Sequence, residues 1–380
     1  MIHKKRLGIL TGGGDVPPLN ALIKSVCKSA EKQDVDILGF WKGWEGFFLK
    51  DGFVNLRSNM IDERIGGTFL KTSRMNLEKV DNGVEKVLQR LQDLEIRALI
   101  VIGGEDTLSN ALLLNGFPQI LISKTIDNDV GKIESNKTMH NITNYFTLGF
   151  PTALRKITSF VCNEEGLRTT AYAHERIIIM ESMGMHAGWL ALSSILGKPD
   201  FIIIPEFPLD YNRFLSLVTE RYLQKKHAIV VIAEGAKWDN GNYISCDYDE
   251  MDQFGHPCFR GAAEKLCTRM KKDLAPYFDT RNVNFVNPSY LYRCGMPCDL
   301  DYEWGKRLGQ KAVELGVRPI NESVFLSIQR NSRGFFVESY PVKDMGCTIE
   351  KFHRFVDDSF YNSGSFSATN RALEYFHLFE

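Results

Sequence analysis

Short, fully apolar runs alternate with amphipathic segments along most of the chain. The apolar runs match strands of a parallel sheet, which are buried on both faces, and the segments between them repeat apolar residues at helical spacing. This pattern predicts strands at residues 7–10, 35–40, 98–102, 119–122, 176–181, 201–204 and 228–232, and helices at residues 21–30, 84–94, 108–114, 142–162, 189–196 and 214–223. Pro151 is expected to kink the predicted helix at 142–162.

The alternation of strands and helices predicts an α/β fold, with a second α/β domain starting near residue 140. Residues 236–260 lack periodicity and are interpreted as a loop insertion. The last forty residues are aromatic and irregular, and the pattern predicts no role for them. Further helices are predicted near 261–275 and 301–315, and two strands at 323–329 and 334–340 around a turn.

Glycine-rich loops follow two of the predicted strands. The strand at 7–10 leads into Thr-Gly-Gly-Gly-Asp at 11–15, and the strand at 98–102 leads into Gly-Gly-Glu-Asp-Thr at 103–107. Glycines expose backbone N–H groups, and a helix N-terminus favours anions, so a strand, a glycine loop and a helix form a unit that can hold phosphate. A plain tight turn explains either loop equally well when it is taken alone.

Two acids stand two residues apart where the predicted strand at 119–122 ends, in the stretch Ser-Lys-Thr-Ile-Asp-Asn-Asp at 123–129. Alternate side chains of an extended segment point the same way, so Asp127 and Asp129 can reach one ligand. One carboxylate can then take a proton from a hydroxyl while the other serves a metal or a second hydroxyl. The plainer interpretation is a polar turn, since Asp and Asn are common turn residues.

Composition and charge narrow the classes of function. The formal net charge of the 380-residue chain is −1, so no field recruits nucleic acid or a membrane surface. The eight cysteines complete no zinc motif, and their scatter fits free thiols in a reducing compartment. No apolar run is long enough to cross a bilayer and no signal region is evident, so we expect a soluble cytoplasmic protein.

The order of these motifs resembles the phosphofructokinase family over residues 5–315. The resemblance implies a phosphofructokinase fold of two doubly wound, Rossmann-like, three-layer αβα domains. It divides the chain into a donor and Mg²⁺ domain at 1–139, a sugar phosphate and oligomer-contact domain at 140–320, and a C-terminal segment at 321–380 that packs on the core. The motifs that carry it lie at 11–15, 66–74, 103–107, 124–129, 183–188, 205–206 and 288–293.

The family resemblance also implies the roles of individual residues in phosphoryl transfer. Asp127 would be the general base that takes the proton from the C1 hydroxyl of fructose 6-phosphate, flanked by Thr125 and Asp129. Arg74 and Lys124 complete the implied catalytic set, and Mg²⁺ would be held by Glu105 and Asp129. The implied donor-binding residues are Gly13, Gly14, Lys71, Gly104, Asp106 and Thr107.

The implied acceptor site includes Thr125, Asp127 and Asp129 again. Glu206 and the backbone near Met183 and Gly184 would bind sugar hydroxyls. The sugar phosphate would be bound by Arg176, Tyr290 and Arg293, with Arg176 supplied by a neighbouring subunit, which implies a homodimer or homotetramer.

The phosphoryl donor is predicted from two positions at which ATP-using members of the family carry glycine. Asp106 would block and repel an α-phosphate, and Lys124 can pair with pyrophosphate as a point charge. Tyr290 also resembles the pyrophosphate-dependent members. A helix N-cap and a solvated loop lysine are the plainer interpretations of Asp106 and Lys124. The sequence therefore favours pyrophosphate, with ATP as the alternative donor.

Four departures from the family pattern keep other functions open. Met185 replaces the arginine that usually contacts the transferred phosphate, and Lys71, where the family commonly has glycine, can supply the missing charge or be a surface lysine. Glu105 replaces an aspartate, and Asn284 a cation of the sugar phosphate site. The alternatives are another sugar phosphate, such as sedoheptulose 7-phosphate, or a polyol as acceptor, or a catalytically weak regulatory or scaffold subunit.

Overall fold

A computed structural model describes residues 5–133, 142–162, 164–251, 257–259, 261–319, 322–345 and 353–380. The chain divides into two compact units. Unit 1 contains the described residues of 1–126, 130–152 and 293–353. Unit 2 contains 127–129, the described residues of 153–292, and 354–380. Each unit draws on separate segments of the sequence; the division at residues 139 and 320 stays a prediction.

The helices and strands follow each other in the order that the apolar pattern predicts for most of the chain. The helices are α1 (Leu19–Glu31), α2 (Gly83–Asp93), α3 (Glu105–Leu112), α4 (Phe150–Val161), α5 (Leu167–Ala173), α6 (Trp189–Ser193), α7 (Tyr211–Lys225), α8 (Ala262–Leu274), α9 (Asp299–Gly316) and α10 (Asn370–Phe376). The strands are β1 (Arg6–Thr11), β2 (Asp36–Phe40), β3 (Phe53–Leu56), β4 (Ile96–Gly103), β5 (Gln119–Thr125), β6 (Lys132–Ile133), β7 (Ile142–Thr143), β8 (Leu148–Gly149), β9 (Ile177–Ser182), β10 (Phe201–Ile203), β11 (Ala228–Ala233), β12 (Cys246–Met251), β13 (Pro257–Phe259), β14 (Val283–Val286), β15 (Val324–Asn331), β16 (Gly334–Pro341), β17 (Tyr361–Asn362) and β18 (Ser367–Ala368).

The sheet of unit 1 has the strand order β16-β15-β5-β4-β1-β2-β3, with β8 paired to β5. Strands β15, β5, β4, β1 and β2 run parallel to their neighbours, and the antiparallel strands β16 and β3 close the two edges. Because β1, β4 and β5 are parallel neighbours, the loops that follow them lie at one edge of the sheet. Ligands bind at that edge in doubly wound folds.

Helices cover both faces of this sheet. On one face, α2 and α3 pack on alternate strand residues such as Leu99 and Val101. On the other, α9 lies against Leu7 and Ile120, the neighbours that a side chain at Gly316 would meet. Helix α9 also packs closely on α1, because Gly309 places its backbone near the Leu22 carbonyl. Unit 1 is therefore a helix–sheet–helix sandwich.

Unit 2 contains a smaller parallel sheet in the order β10-β11-β9-β14. Its core joins Ile177 and Ile179 of β9 to Phe214 and Val218 of α7, and to Leu266 of α8. The intervening β9 residues alternate to the opposite face. A second buried cluster forms where the aromatic rings of the C-terminal segment pack around helix α6, through Trp189, Phe360, Tyr375 and Phe376.

Three regions differ from the sequence prediction. The loop insertion expected at 236–260 contains the antiparallel strands β12 and β13. The predicted helix at 142–162 begins only at Phe150, and residues before it form the short strands β7 and β8. Pro151 therefore lies in the first turn of α4, where its missing N–H costs nothing, and does not kink a longer helix. The last forty residues were expected to be irregular, but they contain the hairpin β17–β18 and helix α10.

None of the helices in the described part of the chain combines the length and the apolar character needed to span a lipid bilayer.

A buried carboxylate holds the start of helix α4. Asp301 is inaccessible to solvent and accepts hydrogen bonds from Gly149 N at 2.8 Å and Thr152 N at 2.9 Å, and from the Thr152 hydroxyl. Gly149 directly precedes the helix and Thr152 lies in its first turn, where no intrahelical acceptor is available. The sequence gives no local sign of this contact, because Asp301 follows Gly149 by 152 positions.

We expect Asp301→Ala to lower the free energy of unfolding by about 3 kcal/mol, since buried N–H groups lose their acceptor. Urea denaturation followed by circular dichroism measures the change. Asp299→Ala is the matched control, because Asp299 is exposed in the first turn of the same helix, α9, and its loss should cost below about 1 kcal/mol. Equal effects of the two substitutions would contradict this account.

Candidate functional site

The two glycine loops of unit 1 are packed against one threonine. Thr107 is buried, and a Cβ at Gly12 would lie 2.5 Å from its Oγ1, while a Cβ at Gly103 would lie 2.2 Å from its Cβ. No side chain fits in either place. Glycines 12 and 103 are therefore required by close approach, and the threonine sets the distance between the loops after β1 and β4.

Lys124, at the end of β5, contacts the first glycine loop. Its side chain is only 2% exposed, and its ammonium donates a hydrogen bond to the Gly14 carbonyl. A Cβ at Gly13 would lie 3.5 Å from the Lys124 Nζ. The solvated loop lysine considered from the sequence does not match this burial. The structure thus brings a fixed positive charge to the loop that the sequence assigned to the phosphoryl donor.

Arg293 approaches the same loop. Its Nε lies 3.3 Å from Asp15 Oδ1, and its Nη1 is the nearest atom to the space beside the Gly14 Cα. The sequence had assigned Arg293 to the sugar phosphate, a role that stays a prediction. Asp15 is a residue that sequence reasoning did not single out, although it ends the Thr-Gly-Gly-Gly-Asp motif.

The segment at 68–73 completes the surroundings of this loop. The Thr72 hydroxyl donates to the Gly13 carbonyl, and Gly13 N donates to the Ser73 carbonyl at 3.1 Å. Lys71 has an exposed side chain and a left-handed backbone, with φ of 59°, and its carbonyl accepts from the Thr11 hydroxyl at 2.9 Å. The Lys71 backbone is therefore fixed while its side chain extends into solvent.

Helix α3 begins with the two acids Glu105 and Asp106, and its N-cap is Gly104. Asp106 is thus a first-turn residue and not the N-cap that the plainer interpretation required. Glu105 Oε2 lies 3.2 Å from His353 Nδ1, and the His353 side chain is 8% exposed. His353 could not be identified from the sequence, since it follows Glu105 by 248 positions.

The acidic loop at 127–129 belongs to unit 2. Asn128 is fully buried, has a left-handed φ of 57°, and donates through Nδ2 to the Tyr375 hydroxyl at 2.9 Å. Arg354 donates through Nε and Nη2 to the Asn128 carbonyl at 3.0 and 2.7 Å, and through its backbone N–H to the Asp129 carbonyl at 2.6 Å. Burial raises the pKa of Tyr375 above its ordinary value, so the hydroxyl stays protonated.

Glu206 is held by backbone N–H groups of the same unit. Its carboxylate accepts from Gly188 N at 2.9 and 3.1 Å and from Val356 N at 2.9 Å. Because Val356 follows Arg354 by two residues, one short segment contacts both the acidic loop and the predicted hydroxyl-binding glutamate. The structure therefore brings two sequence-predicted residues, Asp129 and Glu206, into contact with residues 354–356, and Asp127 lies two residues from Asp129 in the same loop.

The loop after β9 carries Met183 and Gly184. Gly184 has φ of 130° and donates to Glu234 Oε1 at 3.2 Å, so Glu234 orients this loop. A Cβ at Gly235 would lie 1.9 Å from the Met185 carbonyl, which fixes the backbone at the position of the missing arginine.

Arg176, Tyr290, Arg74 and Thr125 are the remaining predicted residues. Arg176 precedes β9 and Met183 follows it, so about 20 Å of extended chain separates them. The Tyr290 side chain is 66% exposed, and Arg74 is exposed in unit 1. Thr125 ends β5, and its carbonyl accepts from the Thr147 hydroxyl at 2.7 Å.

Glu181 is a buried carboxylate at the end of β9 that the sequence did not single out. It accepts from Ala263 N and from Asn287 Nδ2, both at 2.9 Å, at the start of helix α8 and beyond β14. Burial raises its pKa above the ordinary value, although these hydrogen bonds lower it. We assign Glu181 to the support of the sheet and of helix α8.

Comparisons with known proteins agree on one family. The chain matches the phosphofructokinase family over residues 6–316. The pyrophosphate–fructose 6-phosphate 1-phosphotransferase of Dictyoglomus thermophilum is 35% identical over 95% of this chain and 98% of its own length. The ATP-dependent 6-phosphofructokinase 3 of Streptomyces coelicolor is 36% identical over 81% of this chain and 86% of its own length. These relatives are named for different donors at nearly equal identity, so they leave the donor open.

A solved structure shows the same fold. The pyrophosphate-dependent phosphofructokinase from Marinobacter aquaeolei superposes with a TM-score of 0.79, over 99% of this chain and 91% of that chain, at 18% sequence identity. This likeness confirms the predicted α/β fold of doubly wound domains.

Proposed function

The chain belongs to the phosphofructokinase family, and we propose that it transfers a phosphoryl group from pyrophosphate to the C1 hydroxyl of fructose 6-phosphate. The C1 oxygen forms a bond to the terminal phosphorus while the bridging P–O bond breaks. The hydroxyl proton passes to Asp127, and the products are fructose 1,6-bisphosphate and orthophosphate. The phosphoanhydride bond that breaks and the phosphoester bond that forms have similar free energies of hydrolysis. We therefore expect the reaction to be reversible.

The observation that carries the choice of donor is the buried ammonium of Lys124 on the first glycine loop. A cation that is shielded from water interacts strongly with a compact anion such as pyrophosphate, because the effective dielectric constant around it is low. The acid at Asp106, in the first turn of α3, supports the same choice because it would repel the α-phosphate of a nucleotide. The ATP-dependent relative at 36% identity makes ATP the second candidate donor.

Mg²⁺ fits the carboxylates that the family resemblance assigned to it. The part of the chain that the structure describes contains no cluster of three or more His, Cys, Asp or Glu side chains arranged around a metal. Mg²⁺ commonly binds through one or two carboxylates together with water and phosphate oxygens, so either Glu105 or Asp129 alone would meet the need for a protein ligand. Bound Mg²⁺ would neutralise charge on the phosphates.

The acceptor proposal includes a second copy of the chain. Arg176 stands at the opposite end of β9 from Met183, so it is poorly placed to reach a ligand bound at Met183 of its own chain. This distance supports a homo-oligomer in which a neighbouring subunit supplies Arg176 to the sugar phosphate.

The purified protein with Mg²⁺ and fructose 6-phosphate is expected to use pyrophosphate with a kcat/KM at least about a hundredfold above that for ATP, a difference of about 3 kcal/mol. A coupled assay of fructose 1,6-bisphosphate measures both rates. In the double variant Asp106→Gly/Lys124→Gly this preference should fall by tenfold or more, to about tenfold or less. Asp106→Asn is the control that removes the charge and keeps the size. Activity with ATP alone would refute the donor proposal.

Asp127→Asn is expected to lower kcat by about 10² to 10⁴, because the amide cannot take the hydroxyl proton. The KM for pyrophosphate should change little, since the base acts on the acceptor. Asp210→Asn, at the N-cap of helix α7, is a control that removes another loop carboxylate. Turnover above about a tenth of the wild-type value would exclude Asp127 as the base.

Lys71→Gly tests whether Lys71 supplies the positive charge that Met185 lacks. Glycine accepts a φ of 59° without strain, so the free energy of unfolding should stay within about 1 kcal/mol of the wild type. Steady-state kinetics should show kcat reduced about tenfold or more. Lys198→Gly is the matched control, since Lys198 is also exposed with φ of 59°. An unchanged kcat in Lys71→Gly would make Lys71 a surface lysine.

A further inference from the structure

We propose that Arg354 is a positioning residue that fixes the backbone of the acidic loop at 127–129, with Tyr375 as its second support. The inference rests on the proposed function, because it concerns the loop that carries the proposed base. Both residues belong to the C-terminal segment at 354–380, to which the sequence assigned no role. This segment also lies beyond residues 6–316, where the family match ends.

Three hydrogen bonds from Arg354 reach consecutive main-chain carbonyls of the loop. The guanidinium uses Nε and Nη2 on the Asn128 carbonyl, at 3.0 and 2.7 Å, and the backbone N–H takes the Asp129 carbonyl at 2.6 Å. Two carbonyls in succession define the direction of the chain between them. The arrangement therefore fixes the two peptide units on either side of Asp129, and the first of them belongs to Asn128, the residue that follows Asp127.

Arg354 is itself immobilised. Arg354 is 2% exposed, and its guanidinium carbon lies 5.2 Å from the ring centroid of Trp189. The Trp189 indole N–H donates to the Arg354 carbonyl at 2.9 Å. Because Trp189 begins helix α6, the arginine is anchored to a regular element and not to another loop.

The side chain of the intervening asparagine is held from the same segment. Asn128 Nδ2 donates to the hydroxyl of Tyr375, which is fully buried in helix α10. The left-handed φ of 57° at Asn128 costs free energy unless its surroundings favour it. With its carbonyl and its amide both bound, Asn128 cannot relax, and its acidic neighbours keep a fixed orientation.

A base that is displaced by about 1 Å can lose about a hundredfold in rate, so a support of this kind controls kcat. It should have less influence on binding of the phosphoryl donor, which the sequence assigned to the glycine loops of unit 1. Arg354 also precedes the Val356 N–H that Glu206 accepts at 2.9 Å. Loosening Arg354 should therefore also raise the KM for the sugar phosphate.

The experiment compares Arg354→Met, Arg354→Lys and Tyr375→Phe with two controls from the same segment. Tyr361→Phe removes a buried hydroxyl that donates to the Ile202 carbonyl at 2.6 Å. Arg371→Met removes a guanidinium whose carbon lies 4.8 Å from the ring centroid of Phe360. Steady-state kinetics with both substrates, and hydrogen exchange at the amides of residues 126–130, are measured on each full-length protein.

We expect Arg354→Met to lower kcat about 10- to 100-fold, with the KM for pyrophosphate within about threefold of wild type. Tyr375→Phe should lower kcat severalfold, and Arg354→Lys should recover part of the loss, because an ammonium can still donate to one carbonyl. Exchange at 126–130 should accelerate about tenfold or more in Arg354→Met while the rest of unit 2 is unchanged. Both controls should resemble wild type.

A kcat of Tyr375→Phe equal to that of Tyr361→Phe, together with wild-type exchange at 126–130 in the Arg354 variants, would overturn the proposal. Should Arg354→Met not fold, Arg354→Lys and Tyr375→Phe carry the same comparison. If the wild type is inactive with every donor and acceptor, the proposed function fails, and the exchange data still decide whether Arg354 fixes the loop.

Discussion

A guanidinium that has lost contact with water must find its acceptors inside the protein, and Arg354 finds one in a main-chain carbonyl of the acidic loop. Leaving such a charge without acceptors would cost several kcal/mol. The burial of Arg354 and the conformation of Asn128 therefore support each other. The Asn128 carbonyl gives the buried guanidinium an acceptor, and the left-handed φ of Asn128 is tolerated because its carbonyl and its side-chain amide are both bound. This coupling holds the polar loop at 127–129 in one conformation beside the buried aromatic rings.

In unit 1, close packing and not a buried charge fixes the positions of the two glycine loops. Thr107 fills the space beside Gly12 and Gly103, so the two glycine loops can approach only where side chains are missing. The N–H of Gly12 donates to the Ile102 carbonyl at 3.0 Å, so a main-chain hydrogen bond holds the first loop as well. Close packing thus selects glycine at both positions, and Lys124 adds a fixed cation beside a loop whose shape is already determined.

Local patterns predicted the fold well where an element's own residues decide its structure. Buried parallel strands such as β4 and β11 are continuous apolar runs, and the glycine loops follow from their sequence. The pattern failed at 142–149, because apolar residues there suit a helix or a short strand and only pairing with neighbours such as β5 decides. It also failed at the C-terminus, where aromatic residues pack on helix α6 without any period.

The candidate site, like the fold, could be predicted from the sequence only where a residue's own local motif identifies it. The motif residues can be recognised by their type and spacing. Arg354 lies 226 positions beyond Asn128 and cannot be distinguished from the other arginines until the fold is known. The residue type of a carboxylate that contacts the ligand is limited by the chemistry that it performs. A residue that orients this carboxylate only has to be buried and long enough to donate a hydrogen bond to it or to its loop. A different donor at another position could hold the same carbonyl equally well. Sequence motifs therefore identify reacting groups, and the structure is needed to find what orients them.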